Sequence, residues 1–457
     1  MASLPDALPL APEDRAILAL ESATIAGHTC KVVRLAPGAP SLDALRARIA
    51  ARIGGAPLLT RRLGGPADAP AWVADGSFDI ARHVVSAAPA APLDRDGVLD
   101  TVAALFAQRL PRERPLWQIE MVPLADGGAL LVWRIHHALA DGTTTMRYAR
   151  TLLWDGGAED APDDAPAPSH RRDAAAPGHA RDAMPAPGHS RDALPAPSAA
   201  DAFARHAADE ARRRGHLAAY LRREFARSRD RSPFDGAIGT RREIGFAAVP
   251  FGPLHDAARS LAGATVNDAV LSVVAGALRR WLEHHHGALD EVRVKVPVSL
   301  HHEGDDAANR DSFFSLGLPL GVADPVARLR AVHAQTRVRK EDRDAERREQ
   351  LLQELGRVSP QLRTFTTRLE RSPRRFALTV SNVVGPRTAV ELLEARVHAL
   401  HSLAEIGERH ALRVAVTSFE DRLCFGLLAD PVLVPDVRTM AAAIELEAEL
   451  LVAAAGG

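Results

Sequence analysis

Short apolar runs and helical stripes alternate along the first third of the chain. Ser41 to Ile53 places Leu42, Leu45 and Ile49 at helical spacing behind a serine, the signature of a capped amphipathic helix. Gly97 to Leu110 predicts another helix. Ala129 to Ile135 is a continuous apolar run, short enough for a buried strand, and a helical pattern resumes from Thr143 to Trp154. Farther on, Asp201 to Arg231 is an arginine-rich helical stretch, and Asp268 to His284 is a mostly apolar helix introduced by Thr265 and Asn267. Val292 to Leu300 is a predicted strand. Helical patterns fill Asp324 to Gly356, with Asp324 as cap and Pro325 suited to the first helical position. Phe376 to Val380, Leu412 to Thr417 and Arg422 to Leu428 predict strands, and a closing helix starts from Pro435. The mixture indicates an α/β or α+β chain in two halves.

Between the halves the patterning stops. Gly156 to Ala200 is dense in Ala, Pro, Asp and His, and a unit recurs at His170-Arg171-Arg172-Asp173, His179-Ala180-Arg181-Asp182 and His189-Ser190-Arg191-Asp192. Its period of about ten is too short for a solenoid repeat and shows no apolar face. The expected organisation is an N-terminal domain over 1–155, an extended linker over 156–200 and a C-terminal domain over 201–457. A flexible tether cannot hold a fixed coordination geometry, so the linker histidines are not read as a metal site.

Composition narrows the partners. At 457 residues two domains are the default, and 46% hydrophobic with 25% charged residues is ordinary for a globular protein. A net charge of −1 offers no general field for nucleic acid or anionic membrane. Basic side chains are nearly all arginine, with lysine only at Lys31, Lys295 and Lys340. Two cysteines, Cys30 and Cys424, give no disulfide framework and fit a reducing cytosol. The opening residues lack a basic region followed by a long apolar run, so no secretory signal is expected. No stretch approaches the roughly 20 apolar residues needed to span a bilayer. Phe203 to Arg231, with nine arginines against four acids, is open to two readings: a solvated helix packed by its apolar stripe, or a contact with an anionic lipid surface. Arg337 to Arg348 interleaves arginines with acids and reads as an exposed face, while His284-His285-His286 and His301-His302 are placed at element ends.

The densest chemistry is His136-His137-Ala138-Leu139-Ala140-Asp141-Gly142, directly after the apolar strand. A neutral imidazole takes a proton from a hydroxyl at physiological pH, the requirement for alcohol attack on an activated acyl group. Neighbouring strand residues face opposite sides, so one histidine faces a reaction centre while the other packs behind it. Asp141 is placed to shape the turn or pair with an arginine, and Gly142 to adopt a backbone conformation that other residues resist. Two adjacent histidines and an acid also arise by chance. A metal site is an alternative, although no HExxH or cysteine-rich partner accompanies the pair. No GxSxG elbow, P-loop or GxGxxG fingerprint is present, which disfavours a serine hydrolase, an ATPase and a Rossmann dehydrogenase.

HHxxxDG after an apolar strand, preceded by Arg114-Pro115-Leu116-Trp117, resembles the bacterial wax ester synthase/diacylglycerol acyltransferase family. That family lies within the chloramphenicol-acetyltransferase-like superfamily of CoA-dependent acyltransferases. Trp72 to Val84, Gly263 to Leu271, Val296 to Leu300, Asn309-Arg310 and Ser381 to Pro386 follow in the family's order. The likeness covers nearly the whole chain outside the linker. It departs at Val384 in Asn382-Val383-Val384-Gly385-Pro386, at Ser418-Phe419, and at Ala11-Pro12-Glu13-Asp14.

The resemblance implies two chloramphenicol-acetyltransferase-like domains of mixed sheets and flanking helices, with a tunnel between them. His137 would be the general base, supported by His136, Asp141 and Gly142. Asn267 and Asp268 would lie near the reaction centre, Asn267 as oxyanion donor or equally as a helix cap. Ser381 and Asn382 are candidates for the same service, and Pro115, Leu116 and Trp117 would be structural or line the substrate path. The implied reaction uses acyl-CoA as co-substrate, with no bound cofactor or metal, and esterifies diacylglycerol or a long-chain alcohol. The implied setting is cytoplasmic, with peripheral contact at the inner membrane or lipid inclusions and no nucleic acid. Two alternatives stay open: condensation of carrier-protein-bound acyl groups, and a non-catalytic lipid-binding relative.

Overall fold

A computed structural model of the chain describes residues 6–66, 68–87, 93–155, 232–299, 311–341 and 376–456. The linker, the arginine-rich stretch up to Arg231, Leu300, His301-His302, Asn309-Arg310, and the expected helix beyond residue 341 lie outside the described residues.

Two six-stranded sheets carry the fold. At the centre of the first is β7 (Ala129–His136), buried along its whole length. It pairs antiparallel with β2 (His28–Leu35) and β6 (Trp117–Pro123), and β5 (Val84–Ser86) adds parallel to β6. Alternation along β7 divides its side chains between two cores. Leu130 and Val132 join Leu99, Val102 and Phe106 of α3 (Arg95–Ala107). Leu131, Trp133 and Ile135 join Leu45 and Ile49 of α2 (Leu42–Arg52), with Met146, Ala149 and Leu152 of α4 (Gly142–Leu152). A strand buried on both faces reads as an unbroken apolar run, which is why periodicity alone could not orient it. A small third sheet orders β1 (Ala7–Pro9), β4 (Ala71–Ala74) and β3 (Arg61–Gly64), and the short helix α1 (Pro12–Leu18) follows β1 in the chain.

The second sheet runs β10 (Asp311–Pro319), β9 (Glu291–Ser299), β11 (Leu378–Val383), β14 (Leu412–Phe419), β15 (Arg422–Ala429), β8 (Glu243–Pro250). Strand β11 lies parallel to both of its neighbours, and the other pairs are antiparallel. Its core is closed by α5 (Phe251–Ala262), α6 (Val266–His285), α7 (Pro325–Glu341) and α8 (Val437–Gly456).

The halves are interleaved. The edge of the first sheet is supplied by β12 (Glu391–Leu392) and β13 (Ala395–Ala404), the latter antiparallel to β2. A cut at residue 155 therefore leaves the first sheet without its last two strands. No single helix among the described residues is long and apolar enough to cross a membrane; α5 and α6 pass that test only as a pair bent by 95°. Cys30 and Cys424 are both free and buried.

A buried charge network joins the helices of the second half. Glu447 of α8 takes Arg328 of α7 and, at 2.5 Å, Arg280 of α6. Arg328 also donates to the carbonyls of Ser272, Val322 and Ala323 at 3.0–3.1 Å. Gly276 leaves the space that Glu447 and Arg328 fill. Glu447→Ala is expected to cost about 3–5 kcal/mol, because Arg328 would stay buried without its carboxylate. Arg280→Ala, whose side chain is 42% exposed, should cost at most about 1 kcal/mol. Urea unfolding of the two variants checks the difference.

Candidate active site

The HHxxxDG turn starts where β7 ends. His136 is the last residue of the strand and is 2% exposed, whereas His137 lies just beyond it and is partly accessible. The carbonyl of Leu116 accepts the His136 N–H at 2.9 Å, and the carbonyl of His136 accepts the N–H groups of Leu139 and Ala140 at 2.9 and 3.2 Å. His137 N–H donates to the Gly27 carbonyl at 2.9 Å. Asp141 then caps α4: its Oδ1 accepts Thr144 N–H at 2.6 Å, and its carbonyl accepts the Thr145 hydroxyl at 2.6 Å. Asp141 thus ties the turn to the start of α4.

The imidazole of His137 is kept neutral. Burial is the main cause, and the positive charge of Arg413 adds to it, so that its pKa falls from 6.5 to about 4. The Nδ1 atom is closed off from solvent. Around physiological pH the ring is therefore a proton acceptor. Beneath it lies a second polar cluster. Lys31 of β2 is buried and donates to Ser402 Oγ at 2.7 Å, and Ser402 stands 2.6 Å from Thr417 Oγ1. Burial pushes the Lys31 ammonium down to about 8, although electrostatic interaction with Cys30 and Asp141 opposes the shift.

Gly142 acts through space. Its backbone is outside the left-handed region, contrary to the conformational role expected for it. A Cβ there would come within 2.9 Å of Val383 Cγ2, so the glycine lets the turn press against the end of β11. That strand carries Ser381, half-buried with its hydroxyl 3.5 Å from the Val414 carbonyl, and the exposed Asn382. The following loop is held by Gly385 N–H to Ser418 Oγ at 3.0 Å. The structure thus brings together the HHxxxDG turn and the Ser381–Pro386 segment.

The other candidates have different surroundings. Thr265, rather than Asn267, caps α6: Thr265 Oγ1 accepts from Asp268 N–H, and Asp268 Oδ2 accepts Thr265 N–H at 2.9 Å. Asn267 is the second helical residue and half-buried. Asp268 is fully buried and also takes the Thr336 hydroxyl at 2.7 Å and His333 Nδ1 at 2.9 Å, so it ties α6 to α7. Leu116 and Trp117 are 1% exposed members of the first-sheet core, with Pro115 buried beside them. Trp117 Nε1–H donates to the Leu59 carbonyl at 2.7 Å, and its ring stacks on His83 at 4.5 Å. Trp117 begins β6, which pairs beside β7 in the same sheet, and the side chains of this segment are buried. His284-His285-His286 close α6, where His285 and His286 pack on Trp281.

Comparison with known proteins shows the family and the fold. The model of the wax ester synthase/diacylglycerol acyltransferase catalytic domain matches residues 10–270, and that of the family's C-terminal domain matches residues 307–451. The chain belongs to this family. It is an O-acyltransferase of mixed α/β fold. A probable diacylglycerol O-acyltransferase of Mycobacterium tuberculosis is 29% identical over 392 residues, 84% of this chain and 82% of the relative. Among solved structures, the wax ester synthase/diacylglycerol acyltransferase of Marinobacter aquaeolei VT8 superposes with a TM-score of 0.69 at 22% identity, covering 98% of this chain and 100% of that one. The first condensation domain of the CDA synthetase shares the fold at a TM-score of 0.59 and 16% identity, covering 98% and 96%.

Several residues around the HHxxxDG turn carry no local sequence signal. Glu21, Gly27 and Arg413 reach it only through folding, and Glu405 and Arg242 hold the segment before Gly27. Glu405 accepts Ala26 N–H at 3.1 Å and Arg242 Nε at 3.0 Å, while its carbonyl accepts from Arg413 at 3.0 Å. Gly27 adopts φ +76°, and a Cβ on it would meet His136 Nε2 at 2.5 Å. Gly27→Ala is expected to destabilise the protein by more than about 1 kcal/mol through the left-handed backbone alone. It should also lower acyl transfer by displacing His136; thermal unfolding and turnover measured on the same preparation test both effects.

Proposed function

We propose that the protein transfers the acyl group of an acyl-CoA to the hydroxyl of diacylglycerol or of a long-chain alcohol, with His137 as general base. The observation that carries this reading is a neutral, partly accessible imidazole in the HHxxxDG turn of a chain that belongs to this family. His137 takes the hydroxyl proton as the oxygen attacks the thioester carbon. The tetrahedral oxyanion then collapses, the carbon–sulfur bond breaks, and the CoA thiolate leaves. An imidazolium with a pKa of about 4 readily returns its proton to that thiolate. The Asn267 carboxamide and the polar groups of Ser381 and Asn382 are the candidate donors to the oxyanion. Both acceptors dissolve in lipid, which favours a cytoplasmic enzyme working at the surface of a membrane or lipid inclusion.

His137→Ala is expected to reduce turnover by about 10²–10⁴-fold without unfolding the protein. Palmitoyl-CoA offered with hexadecanol or with dioleoylglycerol, followed by thin-layer separation, identifies the acceptor. Failure with both, together with turnover of an acyl-carrier-protein substrate, would move the reading to condensation chemistry; failure with every acyl donor would leave a lipid-binding protein.

The depressed pKa also sets a pH dependence. The fold disfavours the imidazolium, so the accepting form persists below pH 6.5 and is lost only as pH falls through about 4. The acid limb of kcat/KM for the free enzyme should fall near pH 4 in protein whose circular dichroism is unchanged. An acid limb near 6.5 would contradict the proposed electrostatics.

A further inference from the structure

We propose that Glu21 is a positioning residue for acyl transfer, acting through His136 to hold the turn that carries His137. The inference rests on the reading of His137 as the base. It begins with a tautomer. His136 Nδ1 accepts the Ala138 N–H at 3.1 Å and so presents a lone pair there. The proton of the neutral ring is therefore on Nε2, and Nε2 lies 3.1 Å from Glu21 Oε1. Moving the proton to Nδ1 would set an N–H against the Ala138 N–H and a lone pair against the carboxylate. Both contacts would be repulsive, so the carboxylate and the peptide together select one tautomer.

Glu21 is itself held in place. Arg112 reaches Oε1 at 2.6 Å and Arg109 reaches Oε2 at 3.4 Å, and the carboxylate is 13% exposed. Burial raises its pKa, but His136 and Arg112 outweigh that and leave it below the usual carboxylate range. Arg109 also donates to the Ile25 carbonyl at 2.8 Å, inside the same segment. Two residues on, Gly27 accepts His137 N–H and leaves room for the His136 ring. The strap from Glu21 to Gly27 thus grips the turn twice, at the side chain of one histidine and the backbone of the next. His136 is 2% exposed, out of reach of a substrate, so its contribution is orientation.

The test uses the full-length protein labelled with 15N-histidine, the His136 signal being assigned by its loss in His136→Gln. Glu21→Ala should lower kcat about 10–100-fold, the range seen when an outer partner of a functional histidine is removed. KM for palmitoyl-CoA should change less than about twofold, since binding contacts are untouched. The His136 nitrogen shifts should move from one tautomer to a mixture. Glu21→Gln keeps an acceptor oxygen for Nε2–H, so it should retain the tautomer and stay within about fivefold of wild-type kcat. A folded Glu21→Ala protein with wild-type kcat, or with an unchanged His136 tautomer, overturns the proposal. So does a loss confined to the melting temperature. If wild-type protein esterifies neither acceptor, it is the functional reading that fails, and the His136 spectrum still reports whether Glu21 orients the ring.

Discussion

The antiparallel seam between β2 and β7 governs the placement of the HHxxxDG turn. Its register sets His28 opposite His136 and Leu35 opposite Ala129, so the end of one strand locates the start of the other. Because side chains alternate with period two, a slip of one residue would exchange the faces of every pair. Apolar side chains from both faces of this seam are buried in two distinct cores, which makes such a slip costly on each side. Gly27 sits at the entry to β2 in a left-handed conformation, and its carbonyl is the acceptor for His137 N–H. Strand register and the position of the proposed base are thus one constraint.

Around that seam the protein buries charged pairs. The Arg134 and Glu120 side chains pair beneath α3, and Arg134 also donates to the Gln108 carbonyl at 2.6 Å. Arg242 and Glu405 join the second half of the chain to the segment that precedes Gly27. Desolvating such pairs offsets much of their attraction, so their net contribution to stability is small. Their geometry is nevertheless demanding, and it is directed at the region where the two halves meet. The apolar cores supply most of the stability, while the ion pairs bring the loop before β2 into line with strands from elsewhere in the chain.

The same architecture occurs in a wax ester synthase/diacylglycerol acyltransferase and in a condensation domain. What distinguishes one activity from another is the lining of the site rather than the sheets. In this chain the turn presses against the end of β11 through Gly142 and Val383, so the Ser381–Pro386 segment and the histidine turn form one continuous surface. The replacement at Val384, which is 59% exposed, falls on that surface.

Much of this was legible in one dimension. The apolar run ending in HHxxxDG specifies a buried strand with a turn after it, because an unbroken run of that length suits a strand covered on both faces. The caps at Ser41 and Asp324 and the order of the motifs were equally readable, since each depends on residues close in sequence. Asn267 was ambiguous for the same reason: a cap one or two residues away looks alike until Thr265 and Asp268 are seen to bond each other. Gly142 was assigned a backbone role because its neighbour Val383 is distant in sequence. Local pattern therefore determined the elements, the family and the identity of the candidate base. Only the tertiary structure decided that strands from residues 391–404 complete the first sheet, and that Glu21 and Gly27 flank the histidines. It also decided that Arg413 and burial hold His137 neutral. These depend on long-range contacts and on desolvation, both properties of the packed chain that no local window of sequence contains.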